Sequence, residues 1–363
     1  MGARAVVRWI SLSILLTLYV IAANPNGDYA KAAELKKIKL GYLAGVPQPI
    51  FFVAVDKGFF ADEGIEIEIQ NITGGSSIVV EVVASGQVDM GVCAPSSTIL
   101  AIEKGVPIKL VGGFEYQFID KQGKSWDGGI LVCEDSDQIK KLEDLKGKKV
   151  AVNDFGSLYN YYLRYQLRKR GIDPDKDITI IPIPFTQMHS AIAKKQVDAA
   201  IMLPTTFEIA KKNMPLKLLM EGTRLAEMEM DLTSAIGVNA KFAKTYSEDV
   251  VKFLKGMIKS EFFIVKDKKE NDGKYVKDIV QKWVKYKPDI LEAWYAYRGY
   301  HGQEWDFVNP IQVPSSMIPK YSEIFLSEKL LKKPVTPETA IDNSFIKKAY
   351  AELGLKWDDK KGH

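Results

Sequence analysis

Two stretches of this chain repeat one order of elements, and that duplication constrains the fold more than any single motif. In the first, Ile38–Leu43 alternates as a strand, Pro49–Gly58 reads as a helix, and Ile65–Ile69 alternates strictly. Gly74-Gly75-Ser76-Ser77 opens a second helix closed by Gly86, and Val88–Val92 is a strand. Pro95-Ser96-Ser97 opens a third helix, Gly105-Val106-Pro107 stops it, and strand Ile108–Val111 follows. The second stretch begins with strand Ile130–Cys133, a short helix marked by Ile139, Leu142 and Leu145, and strand Lys149–Val152. A helix opened by Gly156-Ser157 and closed by Gly171 comes next, then strand Ile178–Ile183, helix Met188–Lys195 and strand Val197–Met202. Apolar residues at period two mark the strands, period 3.6 marks the helices, and Gly and Pro punctuate them. Gly86-Gln87-Val88-Asp89 and Lys195-Gln196-Val197-Asp198 occupy matching places. Alternating strands and helices imply sheets covered by helices, and the duplication predicts two similar α/β lobes rather than one large sheet. From Ser247 onward the chain reads as mainly helical, over Val250–Val265, Tyr275–Tyr286, Ile290–Tyr297, Tyr321–Leu331 and Asn343–Leu353, with an irregular stretch at His301–Pro319.

A length of 363 residues suits two domains, and 46% hydrophobic with 26% charged residues is an ordinary globular balance. Arg4 and Arg8 precede the apolar run Trp9–Ala23, which is short for a membrane span of about 20 residues. Residues 1–32 therefore read as a signal peptide cleaved before Ala33, with Ala22 as a second cleavage end and an uncleaved anchor as the alternative. The expected location is periplasmic or otherwise extracytoplasmic. Arg4, Arg8 and Lys31 against Asp28 account for half of the formal charge of +4, so no nucleic-acid partner is implied. Three histidines (His189, His301, His363) and two separated cysteines give no metal-ligand spacing, so no metal and no cofactor is expected. Cys93 and Cys133 are expected to be buried thiols rather than a disulfide.

The order of several short motifs carries a family likeness. They are Ala54-Val55-Asp56-Lys57-Gly58-Phe59-Phe60, Glu63-Gly64-Ile65-Glu66-Ile67, Gly86-Gln87-Val88-Asp89 and Gly105-Val106-Pro107. Leu142-Glu143-Asp144-Leu145-Lys146-Gly147-Lys148-Lys149-Val150-Ala151-Val152 and Ile341-Asp342-Asn343-Ser344-Phe345 complete them. Over Lys37–Leu353 the chain resembles the periplasmic substrate-binding proteins of ABC importers, of the sulfonate, nitrate, taurine and thiamine-precursor type. The resemblance implies a type II-like two-lobed binding protein with lobe one at 36–128, lobe two at 129–232, and 233–363 returning to lobe one with the C-terminal helices. It places the two hinge crossings near Trp126–Ile130 and Thr233–Val238. It also implies a monomeric receptor that closes on a small molecule and hands it to permease and ATPase subunits in the inner membrane. No enzyme is expected. A thiamine-pyrimidine synthase shares the fold, but its cysteine-rich motif has no counterpart here.

Ligands in such folds bind between lobes at strand carboxyl ends. Three turns there pair glycine or hydroxyl residues with a helix start: Gly74-Gly75-Ser76-Ser77, Pro95-Ser96-Ser97 and Gly156-Ser157-Leu158. A helix start offers unpaired N–H groups and a partial positive charge, which suits a sulfonate or carboxylate; ordinary capping by serine is the other reading. Gln48 is a ligand contact or part of a turn between Pro47 and Pro49. Trp126 and Tyr159 line the cleft against an aromatic body, or belong to the core. Thr205 follows Met202-Leu203-Pro204, where Leu203 replaces the acid many relatives carry, so an ammonium ligand is disfavoured. The expected ligand is a small organic anion, with a neutral pyrimidine as the alternative.

Overall fold

The computed structural model describes residues 35–43, 48–73, 75–119, 125–126, 128–228, 230–285, 287–288, 291–292, 295 and 309–362. The leader, Gly74 and residues 301–308, His301 among them, fall outside them, as does most of the helix expected at 290–297. Lobe one is built on β1 (Lys36–Leu43), β2 (Ile65–Ile72), β3 (Met90–Cys93), β4 (Ile108–Ile119), β5 (Ser125–Trp126) and β11 (Met230–Asn239). Their sheet order is β2-β1-β3-β11-β4-β5. Lobe two carries β6 (Ile130–Glu134), β7 (Lys149–Val152), β8 (Thr179–Pro182), β9 (Ala199–Met202) and β10 (Leu216–Glu221), in the order β10-β6-β9-β7-β8. Each sheet holds a parallel triplet, β2-β1-β3 and β8-β7-β9, joined to antiparallel strands.

The repeated Gln-Val-Asp text has one physical job in both lobes. Asp89 accepts a hydrogen bond from the Lys39 N–H at 2.8 Å, and Asp198 accepts one from the Lys149 N–H at 2.8 Å. Their own N–H groups donate back to the Lys39 and Lys149 carbonyls. Each aspartate stands just before a parallel strand, β3 or β9, and ties it to the neighbouring parallel strand, β1 or β7.

Helices α1 (Pro49–Asp56), α2 (Ser76–Ala84) and α3 (Pro95–Glu103) serve sheet one. Helices α4 (Leu158–Lys169), α5 (Phe185–Ala193), α6 (Pro204–Ala210) and α7 (Gly222–Ala226) follow in the second half. Proline at the start of α1, α3 and α6 suits a position whose N–H has no partner in the helix. The chain then forms α8 (Ala240–Thr245), α9 (Ser247–Asn271), α10 (Lys274–Val284), α11 (Met317–Ser327), α12 (Pro337–Ala340) and α13 (Ser344–Glu352).

Two differences from the sequence reading bear on how the lobes are joined. β4 runs on to Ile119 rather than ending at Val111, and residues 233–238 lie inside β11, paired with β3 and β4, not in a crossing. Glycine hides the length of β4. A Cβ on Gly112 would meet Leu254 Cδ2 at 2.8 Å, and one on Gly113 would meet the Gln312 carbonyl at 2.7 Å. Close approach of neighbouring chain, not a turn, is the reason for these glycines. The second difference concerns α11, which packs on α4. Tyr161 and Phe325 meet edge to face at 5.1 Å, and Glu328 accepts from Arg164 Nε at 2.5 Å and Arg168 Nε at 2.6 Å. The C-terminal segment thus also grips a helix of lobe two.

Candidate functional site

The parallel strands of both lobes deliver helix starts to one edge each. In lobe one β1, β2 and β3 lead to α1 at Gln48, α2 at Gly75 and α3 at Ala94. In lobe two β7, β8 and β9 lead to α4 at Ser157, α5 at Pro184 and α6 at Leu203. Ser234 pairs with Glu115 one step beyond the Ala235–Cys93 pair, so both sit level with the carboxyl end of β3.

Gln48 is 3% exposed. Its side-chain amide donates to the Glu115 carboxylate at 3.2 Å and to the Ser234 hydroxyl at 3.3 Å, and Ser234 donates to Glu115 at 2.5 Å. The carboxylate fixes which end of the amide is nitrogen, and Gln48 Oε1 is left buried without a partner. Lobe two repeats the arrangement. Asn153 Nδ2 donates to Asp154 Oδ2 at 2.8 Å, and Asn153 Oδ1 is buried without a partner. Burial holds the Asp154 carboxyl above the usual carboxylate range, and an N–H from Gly156 offsets part of that shift. The two edges meet, because a Cβ on Gly75 would stand 3.1 Å from Asp154 Cγ and Oδ2.

The hydroxyls expected to face a ligand are partly used by the fold. Ser76 Oγ accepts from the Ala94 N–H at 2.6 Å and ties the start of α2 to that of α3. Ser157 Oγ caps α4 by accepting from the Asn160 N–H at 3.2 Å. Ser96 is fully buried and its Oγ has no partner. Ser97, Pro95 and Leu158 are buried, Ser77 is exposed and Thr205 is half-buried. Trp126 lies in β5, with its side chain outside the described residues. Tyr159 is buried and donates to Gln117 Oε1 at 3.2 Å.

Sequence reasoning did not pick out Glu115, Ser234, Asn153 or Asp154. Glu115 had a signal, as a charge inside the apolar run Leu110–Phe118. Asp154 had another, as an acid in a strand-to-helix turn. Cys93 and Cys133 are both free and buried. Among the described residues no group of three or more His, Cys, Asp or Glu is placed to hold a metal ion, and no helix is long and apolar enough to cross a membrane.

A sequence model described as NMT1/THI5 like matches residues 49–271, more than half of the chain. The chain belongs to the NMT1/THI5-like family. One relative of this NMT1/THI5-like chain is the 4-amino-5-hydroxymethyl-2-methylpyrimidine phosphate synthase THI11 of Saccharomyces cerevisiae. The two are 26% identical over 227 residues, 60% of this chain and 63% of that protein, so under two thirds of the relative's length is spanned. Two solved structures share the architecture. The periplasmic aliphatic sulphonate binding protein SsuA of Escherichia coli aligns with a TM-score of 0.63 at 17% identity, over 85% of this chain and 92% of that one. The periplasmic nitrate-binding protein NrtA of Synechocystis PCC 6803 aligns with a TM-score of 0.67 at 16% identity, over 88% and 89%. At such identities the likeness establishes the fold, which is the two-lobed fold of periplasmic binding proteins.

Proposed function

We propose that this NMT1/THI5-like chain is the extracytoplasmic solute receptor of an ABC importer. It closes its lobes on a small molecule, passes it to the membrane subunits, and makes or breaks no bond. The observation that carries the reading is the pair of facing edges, each with an amide oriented by a carboxylate and a buried carbonyl left without a donor. An unanswered buried polar group costs about 1–3 kcal/mol, and a ligand that donates hydrogen bonds to both edges removes that cost. Of Gln48, Glu115, Ser234, Asn153 and Asp154 none is basic and two are acids. The sequence alone favoured an anion. Two carboxylates at the edge weigh instead toward the alternative, a neutral aminopyrimidine that offers N–H groups. The name of the yeast relative, a pyrimidine phosphate synthase, fits that ligand class.

Calorimetry tests the reading with 4-amino-5-hydroxymethyl-2-methylpyrimidine, its phosphate ester and an alkanesulfonate. The neutral pyrimidine is expected to bind, with the ester weaker and the sulfonate weakest. A sulfonate that binds more tightly than the pyrimidine would restore the anion reading. Mass spectrometry of the complex is expected to recover the pyrimidine unchanged; turnover would make the chain an enzyme.

A further inference from the structure

Both crossings between the lobes arrive at one buried polar cluster that no ligand contact explains. The first crossing leaves β5 and passes Gly128 and Gly129 into β6, and the second passes α7 and enters β11 at Met230. Asp231, 1% exposed, stands directly after the second crossing. One of its oxygens accepts from Gln117 Nε2 at 2.8 Å and from the Tyr162 hydroxyl at 2.7 Å. The other accepts from the Leu232 N–H at 2.8 Å and from the Tyr321 hydroxyl. Four donors come from β4, α4, α11 and β11, so lobe one, lobe two and the C-terminal segment all converge on one carboxylate. Because Gln117 gives its nitrogen to Asp231, its Oε1 faces the other way. There it accepts from the Tyr159 hydroxyl and from the Gly128 N–H, both at 3.2 Å. The Tyr159 ring lies on the first crossing, where a Cβ on Gly129 would stand 2.8 Å from Cζ and one on Gly128 would strike the hydroxyl. Charge-assisted hydrogen bonds are the stronger class, and a carboxylate with all its acceptor sites engaged has one favourable arrangement of its partners.

We propose that Asp231 is a positioning residue for lobe closure: through Gln117 it holds Tyr159 against the Gly128-Gly129 crossing and so fixes the angle between the lobes. The proposal gives a mechanism to the receptor reading and rests on it for its purpose. Its test needs no ligand, so the two can fail separately. Spin labels on Lys104→Cys and Lys194→Cys, both exposed sites, report the interlobe distance by pulsed electron resonance. The parent is expected to show one narrow distance. Asp231→Asn puts an amide where only acceptors fit, and is expected to broaden the distribution at least twofold. Gly128→Ala is expected to shift the mean, because the new methyl strikes the Tyr159 hydroxyl, and Tyr159→Phe, which removes the hydroxyl that donates to Gln117, is expected to broaden the distribution as Asp231→Asn does. A folded Asp231→Asn variant with the parent's distribution overturns the proposal, as does a broad distribution in the parent. If Asp231→Asn does not fold, Gln117→Met cuts the same relay and is read by the same criterion.

Discussion

Glu261, on α9, is 3% exposed, and its Oε2 has no hydrogen-bond partner. Burial pushes its pKa up to about 8, because the low-dielectric interior disfavours the charged form. The folded protein therefore holds a proton that the unfolded chain, with an ordinary carboxyl, has released. That contribution is fully present below about pH 4.5 and is lost as pH rises through about 8. Glu261→Gln lacks the titration, so its stability relative to wild type should rise by on the order of 2 kcal/mol between pH 6 and 8. Urea unfolding at both pH values checks it, and a constant difference would show that Glu261 does not hold its proton. Asp154 is the matching case at the proposed ligand edge. Asp154→Asn removes a carboxylate opposite Gly75 while keeping a similar shape. Losing a charged acceptor costs about 1.5–3 kcal/mol, so pyrimidine affinity should fall roughly tenfold to a hundredfold. Sulfonate affinity should rise, and calorimetry reads both.

Among the helices, α9 and α4 show how packing overrides local preference. Gly256 sits inside the 25-residue α9, where glycine costs about 1 kcal/mol relative to alanine. A Cβ there would stand 2.6 Å from Phe60 Cε1, and Phe60 stacks on Phe253 at 5.3 Å. Overpacking costs about 1–3 kcal/mol. Gly256→Ala is therefore expected to lower the thermal midpoint despite its better helix propensity; a raised midpoint would mean the ring simply moves aside. On α4, Arg164 and Arg168 converge on Glu328, whose side chain is 2% exposed. The arginines remain partly solvated, so the cost of Glu328→Gln is expected at about 1–3 kcal/mol, below that of a fully buried pair. Chemical denaturation reads it directly.

For the lobes together, a ligand held between two edges binds the folded protein and not the unfolded chain. At one hundred times its dissociation constant it adds about 2.7 kcal/mol of stability. Thermal unfolding with 4-amino-5-hydroxymethyl-2-methylpyrimidine at that excess should rise by several degrees, and small-angle scattering should show a smaller radius of gyration. A raised midpoint with an unchanged radius would mean binding without closure. The carboxylate at the crossings and the grip of α11 on α4 both act at this scale, since each joins parts that the proposed closure would have to carry.

The duplicated order of elements was legible because amphipathic periodicity and Gly or Pro punctuation are local signals, set by the backbone geometry of each segment. The same holds for the Gln-Val-Asp text, whose aspartates reach strands about fifty residues away in both lobes. The long β4–β11 pair was not legible. Its glycines are required by Leu254, Ile311 and Gln312, residues remote in sequence, so locally they look like breaks. The serines at helix starts were visible as candidates, but only the fold shows that Ser76 and Ser157 spend their oxygens on Ala94 and Asn160. Glu115 and Asp154 came to the edges through strand register and a turn, and the orientation of Gln48 and Asn153 followed from those carboxylates. Which side chains share a buried space depends on how the sheets pack, and desolvation then decides which polar atoms stay unanswered. Periodicity carries neither.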